Sequence, residues 1–421
     1  MNIIEYLESN VRSYIHSFPA VFDMAEGAVI YDEKGNEYID FFAGAGVLNY
    51  GHNNPKVIKA WIDYLQNNRI VHSLDKATVA KRNFLQKFLD TILVPRNLEY
   101  KLQFTGPTGT NAVEAALKLA RMVKKRSNII AFTNGYHGLT MGSLAITGNQ
   151  FYHDKAYSLR INVNHVPFDG YFGKDVDTIN YLRKLLIDPG SGIEIPAAII
   201  VETIQAEGGI NIASETWLKK LQALCRELNI LFIIDDIQVG NGRTGTFFSF
   251  EKIGILPDMI CLSKSIGGGL PMALLLIRPE LDQWLPGKHT GTFRGNNLAF
   301  VAATELLGYW ENDDLTKAVE YKSKIIQKSL QKLADELPEL QMQARGRGMI
   351  WGLEMPKEGF AKQVSTRAFE KKILVETCGS NSQVVKFLPP LIIEEEVLNI
   401  GLNKLSEAVR EVFAENFSYN M

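Results

Sequence analysis

The fold of this chain is decided by the stretch from Asp258 to Pro271, which reads D-M-I-C-L-S-K-S-I-G-G-G-L-P. The apolar run at its start has the length of a buried strand, and the three glycines end that strand abruptly. Lys264 therefore stands at the carboxyl end of a strand, where ligands bind in open α/β sheets. A lysine in this place can neutralise a phosphate, pair with a buried acid or attack a carbonyl as an amine. A lysine that only faces solvent is the simplest alternative.

The region around this stretch, residues 100–278, alternates apolar runs with segments of helical spacing. This alternation predicts an α/β fold in which helices wrap a mostly parallel sheet. The predicted strands are Leu102–Thr105, Ile129–Thr133, Ala197–Val201, Leu231–Ile234, Met259–Leu262 and Ala273–Ile277. Helices are predicted at Asn111–Val123 and Glu215–Glu227.

The length of 421 residues favours one large domain and one smaller domain over a single small core. We assign residues 51–308 to the large domain. Residues 1–50 and 309–421 are predicted to form the smaller domain together, as an α+β unit built from both chain ends.

Composition argues against several classes of protein. A net charge of −2 gives no electrostatic case for nucleic acid or an anionic membrane as a partner. Neither a signal-peptide pattern nor an apolar run of membrane-spanning length occurs, and the three cysteines are widely spaced, so a cytoplasmic location is expected. The seven histidines show no metal-binding spacing and no C-x-x-C occurs, so no metal site is expected.

Acidic residues follow two of the predicted strands, and parallel strands bring their carboxyl ends to one edge of a sheet. Glu202 follows Ala197–Val201, and Asp235 and Asp236 follow Leu231–Ile234. The phosphate-binding motif G-x-x-x-x-G-K-[ST] and the dinucleotide motif G-x-G-x-x-G are both missing from the sequence. An acid and a lysine without either motif point to pyridoxal phosphate, because this cofactor binds a lysine covalently and needs an acid at its pyridine nitrogen.

A phosphate site is predicted where Thr105–Asn111 (T-G-P-T-G-T-N) leads into a helix. Free backbone amides and the helix dipole favour an anion there, and the hydroxyls of Thr108 and Thr110 lie nearby in sequence. The alternative is an ordinary N-cap, where Thr and Asn are expected in any case. The acid and the lysine of the same sheet favour the phosphate site.

Several motifs resemble those of class III (ω-) aminotransferases, in the order that the family has them. Residues 235–245, D-D-I-Q-V-G-N-G-R-T-G, are similar to the family signature D-E-x-Q-x-G-x-G-R-T-G, and residues 262–271 are similar to its lysine segment. Residues 136–138 (Y-H-G), 205–209 (Q-A-E-G-G) and 292–296 (T-F-R-G-N) match further blocks. The resemblance covers essentially the whole chain, and it implies a pyridoxal-phosphate-dependent transferase of fold type I.

The resemblance also implies roles for individual residues. Lys264 would carry the cofactor and later move a proton, and Asp235 would pair with the pyridine nitrogen. Gln238 would bind the phenolic oxygen of the cofactor, while Ile237 and Tyr136 would cover the two faces of its ring. The full set of cofactor-binding candidates is Thr108, Gly109, Thr110, Tyr136, His137, Glu202, Asp235, Ile237, Gln238, Lys264 and Thr292.

Three further residues are implied to bind substrate, namely Glu207, Arg294 and Lys386. Lys386 stands where most members of the family have an arginine for a substrate carboxylate. Since lysine makes a point-charge contact without arginine's fork, we expect a looser pair with Glu207. Arg294 is a candidate replacement or an interface ion pair. Thr292 would reach the phosphate of a neighbouring subunit's cofactor, which implies a dimer at least, with shared active sites.

Within the family, residues 41–55, 104–113, 235–238 and 291–297 are most similar to members that act on L-2,4-diaminobutyrate. This similarity implies that the 4-amino group of that donor exchanges with 2-oxoglutarate, giving aspartate 4-semialdehyde and glutamate, or the reverse. Two alternatives stay open: an ω-transaminase for ornithine or 4-aminobutyrate, and an aminomutase on the same fold. A non-catalytic binding protein is disfavoured because Lys264 is present, and a transcription regulator is disfavoured because no DNA-binding extension is visible.

Overall fold

The structure, a computed structural model, describes residues 3–157 and 160–417, with the side chain of Phe417 excepted. Residues 1–2, 158–159 and 418–421 of the predicted domains lie outside this part of the chain. The domain boundaries themselves stay a prediction.

The strands of the described residues are β1 Phe22–Glu26, β2 Val29–Asp32, β3 Glu37–Asp40, β4 Lys101–Phe104, β5 Ile129–Phe132, β6 Val163–Val166, β7 Ala198–Val201, β8 Ile204–Gln205, β9 Asn211–Ile212, β10 Leu231–Asp235, β11 Met259–Leu262, β12 Leu274–Ile277, β13 Gln343–Arg347, β14 Ile350–Glu354, β15 Ile373–Leu374, β16 Glu376–Cys378 and β17 Val384–Phe387. The α-helices are α1 Ile3–Leu7, α2 Tyr14–Ser17, α3 Ala43–Gly46, α4 Pro55–Gln66, α5 Val79–Phe88, α6 Gly109–Lys124, α7 Met141–Ala145, α8 Thr178–Ile187, α9 Glu215–Glu227, α10 Asn297–Leu306, α11 Asp314–Glu336, α12 Phe360–Glu370 and α13 Glu395–Phe417. None of these helices is both long and apolar enough to cross a bilayer.

The largest sheet has the strand order β4-β12-β11-β10-β7-β5-β6. Strands β11, β10, β7, β5 and β6 run parallel, whereas β12 is antiparallel to β11 and to β4. The prediction of a mostly parallel sheet is therefore confirmed. The reversal at β12 follows from the glycine cluster, because Gly268 and Gly269 adopt positive φ and turn the chain straight back along β11.

Helix α6 covers one face of this sheet and brings its N-terminus to the sheet's carboxyl edge. It buries alanines such as Ala112, Ala115 and Ala116 completely, and these pack with Ile233 and Cys261 of the sheet. Small side chains let the helix lie close to the strands, and each fully buried large apolar side chain stabilises the fold by about 1.5–3 kcal/mol. The first turn of α6 is therefore held firmly beside the ends of β10 and β11.

The two ends of the chain meet in a second sheet of order β1-β2-β3-β15. In it, Ile39 and Asp40 of β3 pair in parallel with Ile373 and Leu374 of β15. A third, antiparallel sheet has the order β13-β14-β17-β16. Its register places Lys386 of β17 opposite Glu376 of β16, and this pairing brings both side chains to the functional site.

Candidate active site

A cavity of about 360 Å³ lies at the carboxyl ends of the parallel strands. All predicted site residues except Thr292, Arg294 and Lys386 line it. The lining residues are Thr108, Gly109, Thr110, Tyr136, His137, Gly138, Leu139, Glu202, Glu207, Asp235, Ile237, Gln238, Val239 and Lys264. The fold thus brings together strand ends that are far apart in sequence.

Lys264 follows β11 and enters the cavity from a strained backbone, with a φ of +55°. Its Nζ donates a hydrogen bond to the Ala45 carbonyl at 2.9 Å, so the side chain points into the site rather than into solvent. Burial lowers the pKa of Lys264, although the nearby Glu207 acts in the opposite direction. A lowered pKa leaves more of the amine neutral, and the neutral form is the one that attacks a carbonyl.

Asp235 ends β10 and lies on the floor of the cavity with only 4% of its surface exposed. His137 Nδ1 lies 2.7 Å from Asp235 Oδ2, and the Ile237 amide donates to Oδ1 at 3.2 Å. These contacts fix the direction of the carboxylate. The site therefore presents a positioned negative charge, as a protonated ring nitrogen requires.

Glu202, at the end of β7, lies beside Asp235 and accepts a hydrogen bond from the Tyr136 amide at 3.0 Å. Burial raises the pKa of Glu202 well above its usual value, and the neighbouring Asp235 adds to this effect. The shift favours the protonated carboxyl, which donates a hydrogen bond where a carboxylate only accepts one.

The start of α6 forms the remaining wall. The Thr108 hydroxyl donates to Asn111 Oδ1 at 2.9 Å, and the Thr108 amide donates to the same atom at 3.2 Å. Thr108 is the N-cap of α6, as the alternative interpretation expected, yet the first amides of a helix still have no intrahelical partner. Gly109 lets Ile237 approach, since a Cβ at this position would lie 2.9 Å from Ile237 Cδ1. The turn keeps the geometry of an anion site.

Beyond the cavity lies a cluster of three charged side chains. Lys386 is completely buried, and its Nζ lies 2.5 Å from Glu207 Oε1 and 3.0 Å from Glu376 Oε1. Glu207 Oε1 also accepts a hydrogen bond from Gln238 Nε2 at 3.1 Å, which connects the cluster to the cavity. Burial opposes the charge on Lys386, but the two carboxylates outweigh it and raise the pKa of Lys386 well above its usual value.

The expectation that Lys386 pairs more loosely with Glu207 than an arginine would stays a prediction. The structure adds Glu376, whose Oε1 lies 3.0 Å from the same ammonium group. The two carboxylates together favour the charged form of Lys386 despite its burial. No motif indicated Glu376, because its position depends on the register of β16 against β17.

Thr292 and Arg294 lie outside the cavity of their own chain. The Thr292 carbonyl is 3.0 Å from His72 Nε2. Arg294 donates to the His289 carbonyl at 2.7 Å and pairs with Asp75 at 2.6 Å. The predicted contact of Thr292 with a neighbour's cofactor, and any substrate contact of Arg294, stay predictions.

Comparison with known protein families identifies the family. The model of the family "Aminotransferase class-III" matches residues 11–409. The chain belongs to this family. Two similar class III aminotransferases, both named diaminobutyrate–2-oxoglutarate transaminase, come from Wolinella succinogenes and Halalkalibacterium halodurans. The first is 62% identical over 99% of this chain and 97% of the relative, and the second is 54% identical over 97% and 96%.

Solved structures of aminotransferases have the same fold. The ornithine aminotransferase from Toxoplasma gondii superimposes with a TM-score of 0.85 at 26% identity, covering 98% of this chain and 94% of the other. A second structure of that enzyme is described with partial occupancy of PLP at its active site. An aminotransferase from Bacillus anthracis matches with a TM-score of 0.85 at 23% identity, and this match shows the fold alone.

Class III aminotransferases depend on pyridoxal phosphate, and the residues of this cavity fit that cofactor. An amine with a lowered pKa, a positioned carboxylate and a helix N-terminus are the three groups that its aldehyde, pyridine nitrogen and phosphate need. The volume of about 360 Å³ is adequate for a ring of this size.

Proposed function

We propose that this class III aminotransferase exchanges the 4-amino group of L-2,4-diaminobutyrate with 2-oxoglutarate, giving L-aspartate 4-semialdehyde and L-glutamate, or the reverse. The observation that carries the proposal is that Lys264 and Asp235 line one cavity, with the Glu207–Lys386 pair next to it. The two relatives at 62% and 54% identity, which bear this activity in their names, support it.

Bound pyridoxal phosphate supplies an aldehyde that condenses with amines and a ring that withdraws electrons from the substrate carbon. Lys264 would hold the cofactor through its Nζ. When free, the same amine would act as the base that takes a proton from the carbon bearing the donor nitrogen, and as the acid that returns it. The lowered pKa of Lys264 suits this work as a base.

Asp235 would pair with the pyridine nitrogen and favour its protonated form, and His137 fixes the direction of the carboxylate. Gln238 Nε2 donates to the Ala45 carbonyl at 2.8 Å and to Glu207, which fixes its amide at the cavity edge. It would exchange one of these two bonds for a bond to the phenolic oxygen of the cofactor. These groups are positioned before the reaction, and such preorganisation is the main source of electrostatic catalysis.

The two substrates place different charges near Lys386. The donor enters with its side-chain amine towards Lys264, whereas glutamate enters with its α-amine there and brings a carboxylate beside it. Glu207 neutralises Lys386 in the first case and moves away in the second. The backbone of Glu207 stays in place, because its carbonyl accepts from the Gly379 amide at 2.9 Å. The switch is therefore a movement of the side chain.

We infer that the protein is a homodimer at least. Leu139, which lines the cavity, exposes a large apolar side chain, and so do Met141, Leu74 and Phe293. Exposed apolar side chains at a binding site are expected where another chain covers the surface. The cytoplasmic location inferred from the cysteines is supported by their state, since Cys225, Cys261 and Cys378 are all free and buried.

The proposed function is tested by a donor screen with 2-oxoglutarate as the fixed acceptor and glutamate as the measured product. We expect diaminobutyrate to give the highest kcat/KM among diaminobutyrate, ornithine, lysine and 4-aminobutyrate. A higher value for ornithine or 4-aminobutyrate would favour the other ω-transaminases. Conversion of the amino acid alone, without any acceptor, would favour an aminomutase.

A further inference from the structure

A second cavity, of about 350 Å³, shares Tyr136 and Glu207 with the first. We name it the head-group pocket, because the proposal below places the amino-acid end of the donor there. Its walls include Ser13, Tyr14, Ser380 and Asn381, which offer hydroxyl and amide groups. The charged side chains among its lining residues are Glu207 and Glu376, so the pocket is acidic.

Glu376 is the less satisfied of the two carboxylates. Only 7% of the surface of Glu376 is exposed, and its Oε1 has no hydrogen-bond partner among the described residues. Lys386 Nζ lies 3.0 Å away, without hydrogen-bonding geometry, and is closer to Glu207 at 2.5 Å. One ammonium group thus pairs with two carboxylates. When all three groups are ionised, the cluster has a net charge of −1 beside the pocket.

We propose that Glu376 is a specificity-determining residue that binds the α-ammonium group of the donor, so that the site selects diamino acids over ω-amino acids without a second amine. The proposal rests on the transaminase function given above. The α-ammonium group supplies the positive charge that the cluster lacks. A buried carboxylate is poorly screened by water, so its attraction for a cation is stronger than it would be on the surface.

An ω-amino acid such as 4-aminobutyrate has no such group at its outer end. Diaminobutyrate and 4-aminobutyrate both bring a carboxylate into a pocket that Glu207 and Glu376 already make negative, but only diaminobutyrate brings an α-ammonium group that offsets this charge. Like charges in a buried place disfavour binding, and repulsion of a competitor is an effective source of specificity. Glu376 therefore favours diaminobutyrate, because the α-ammonium group compensates the repulsion of the carboxylate in that donor and 4-aminobutyrate has no such group.

The acceptor step needs the opposite charge. A carboxylate of 2-oxoglutarate near Lys386 competes with Glu376 for the same ammonium group. Burial raises the pKa of Glu376 to about 7; Lys386 opposes this shift and Glu207 adds to it. The ionisable groups that act on Glu376, or on which it acts, are Lys386, Glu207, Lys264, Tyr14, Tyr152 and Cys378. Protonation of Glu376 therefore favours the acceptor, and ionisation favours the donor.

The test is Glu376→Gln, which removes the charge and keeps the shape, with the exposed Glu358→Gln as the matched control. The donor half-reaction is followed by cofactor absorbance, with diaminobutyrate and with 4-aminobutyrate. We expect the ratio of their kcat/KM values to fall at least tenfold in Glu376→Gln and to stay unchanged in the control. The efficiency with 2-oxoglutarate, measured in the second half-reaction, is expected to hold or rise.

The pH profile separates this role from a structural one. In the wild type, the diaminobutyrate to 4-aminobutyrate ratio should rise between about pH 6 and pH 8 as Glu376 ionises. The same ratio should be flat in Glu376→Gln, while Glu376→Asp, which keeps the charge, should retain the rise. If Glu376→Gln does not fold, the aspartate variant and the wild-type profile carry the test.

Two results would overturn the inference. One is an unchanged donor ratio in Glu376→Gln with a wild type that is active on diaminobutyrate, and this result leaves the proposed function intact. The other is an equal loss in both half-reactions with no change in the pH profile, which would make Glu376 structural. A wild type that is inactive on diaminobutyrate would instead reject the proposed function itself, and this inference with it.

Discussion

Lys264 combines a strained backbone with a buried amine. A φ of +55° is rare for a side chain of this size, and strained residues persist where the surrounding structure holds them, often at active sites. The position of Lys264 after a strand was evident from the sequence. Its strain and its contact with Ala45 were not, since they depend on how residues 43–46 fold against the end of β11.

Asp235→Asn gives the sharpest test of a single charge in the cavity. Asparagine keeps the shape but cannot hold a proton on the pyridine nitrogen. We expect the half-reaction with diaminobutyrate to slow by roughly 10²–10³-fold, the scale for loss of one preorganised group. The measurement is single-turnover absorbance of the holoenzyme, with the exposed Asp175→Asn as control.

The contact between His137 and Asp235 means that the Asp235→Asn experiment needs a control for stability. His137 Nδ1 lies 2.7 Å from Asp235 Oδ2, so the asparagine variant also weakens a buried hydrogen bond. Melting temperature and cofactor affinity should therefore be recorded for the same variants. A single-turnover rate equal to that of the control would remove Asp235 from the proposed role.

At the residue scale, the sequence did not predict that Glu376 belongs to the site. The motifs identified Lys264, Asp235 and Gln238 because these residues stand in fixed spacings that the family shares. Glu376 meets Lys386 only through the pairing of two short strands. A register of this kind follows from packing across the whole sheet, which local pattern does not reveal.

At the scale of elements, most strands of the large sheet were predictable from the sequence, including the edge strand β4, whereas the other edge strand, β6, was not. The strand Met259–Leu262 has the predicted bounds, as does the helix Glu215–Glu227. Strand β6, Val163–Val166, was missed because Asn164 and His165 interrupt its apolar pattern. It lies at the edge of the sheet, where one side has no partner strand and the hydrophobic signal is weak.

The start of helix α6 carries a prediction of its own. Gly109→Ala would place a Cβ 2.9 Å from Ile237 Cδ1, so the isoleucine must shift away from the turn. Since Ile237 and the turn are both proposed to contact the cofactor, we expect the dissociation constant of pyridoxal phosphate to rise about tenfold with little loss of fold stability. Titration of the apoprotein by absorbance measures it.

Gly308→Ala is the matched control, because a Cβ at Gly308 meets no atom within 4 Å. Both variants add one methyl group to a glycine, and they differ only in the atoms that surround that methyl group. Equal dissociation constants for both would mean that the start of α6 does not contribute to the cofactor site.

At the scale of the whole molecule, the α/β class and the mostly parallel sheet followed from the alternation of apolar runs and helical segments. The sheet that joins the chain ends did not, because β15 is only two residues long and pairs with a strand more than three hundred residues earlier. Short strands of this kind have almost no pattern of their own. Their pairing is determined by the packed molecule.

Two different sheets supply the residues of the proposed site. The large sheet supplies Lys264 and Asp235, which carry the chemistry common to both half-reactions. The antiparallel sheet near the C-terminus supplies Lys386 and Glu376, which we propose respond to the charge of each substrate. Glu207 lies between them and lines both cavities. Chemistry and choice of substrate are thus held by different sheets.

The central claim is that Lys264 carries pyridoxal phosphate, and borohydride reduction of the holoenzyme tests it most directly. Reduction fixes the cofactor to the amine that holds it, and peptide mapping by mass spectrometry then identifies the labelled residue. We predict the label on the peptide that contains Lys264, and its loss, together with the visible absorbance and turnover, in Lys264→Ala. A label on another lysine, or a Lys264→Ala variant that keeps the absorbance and turnover, would contradict the account.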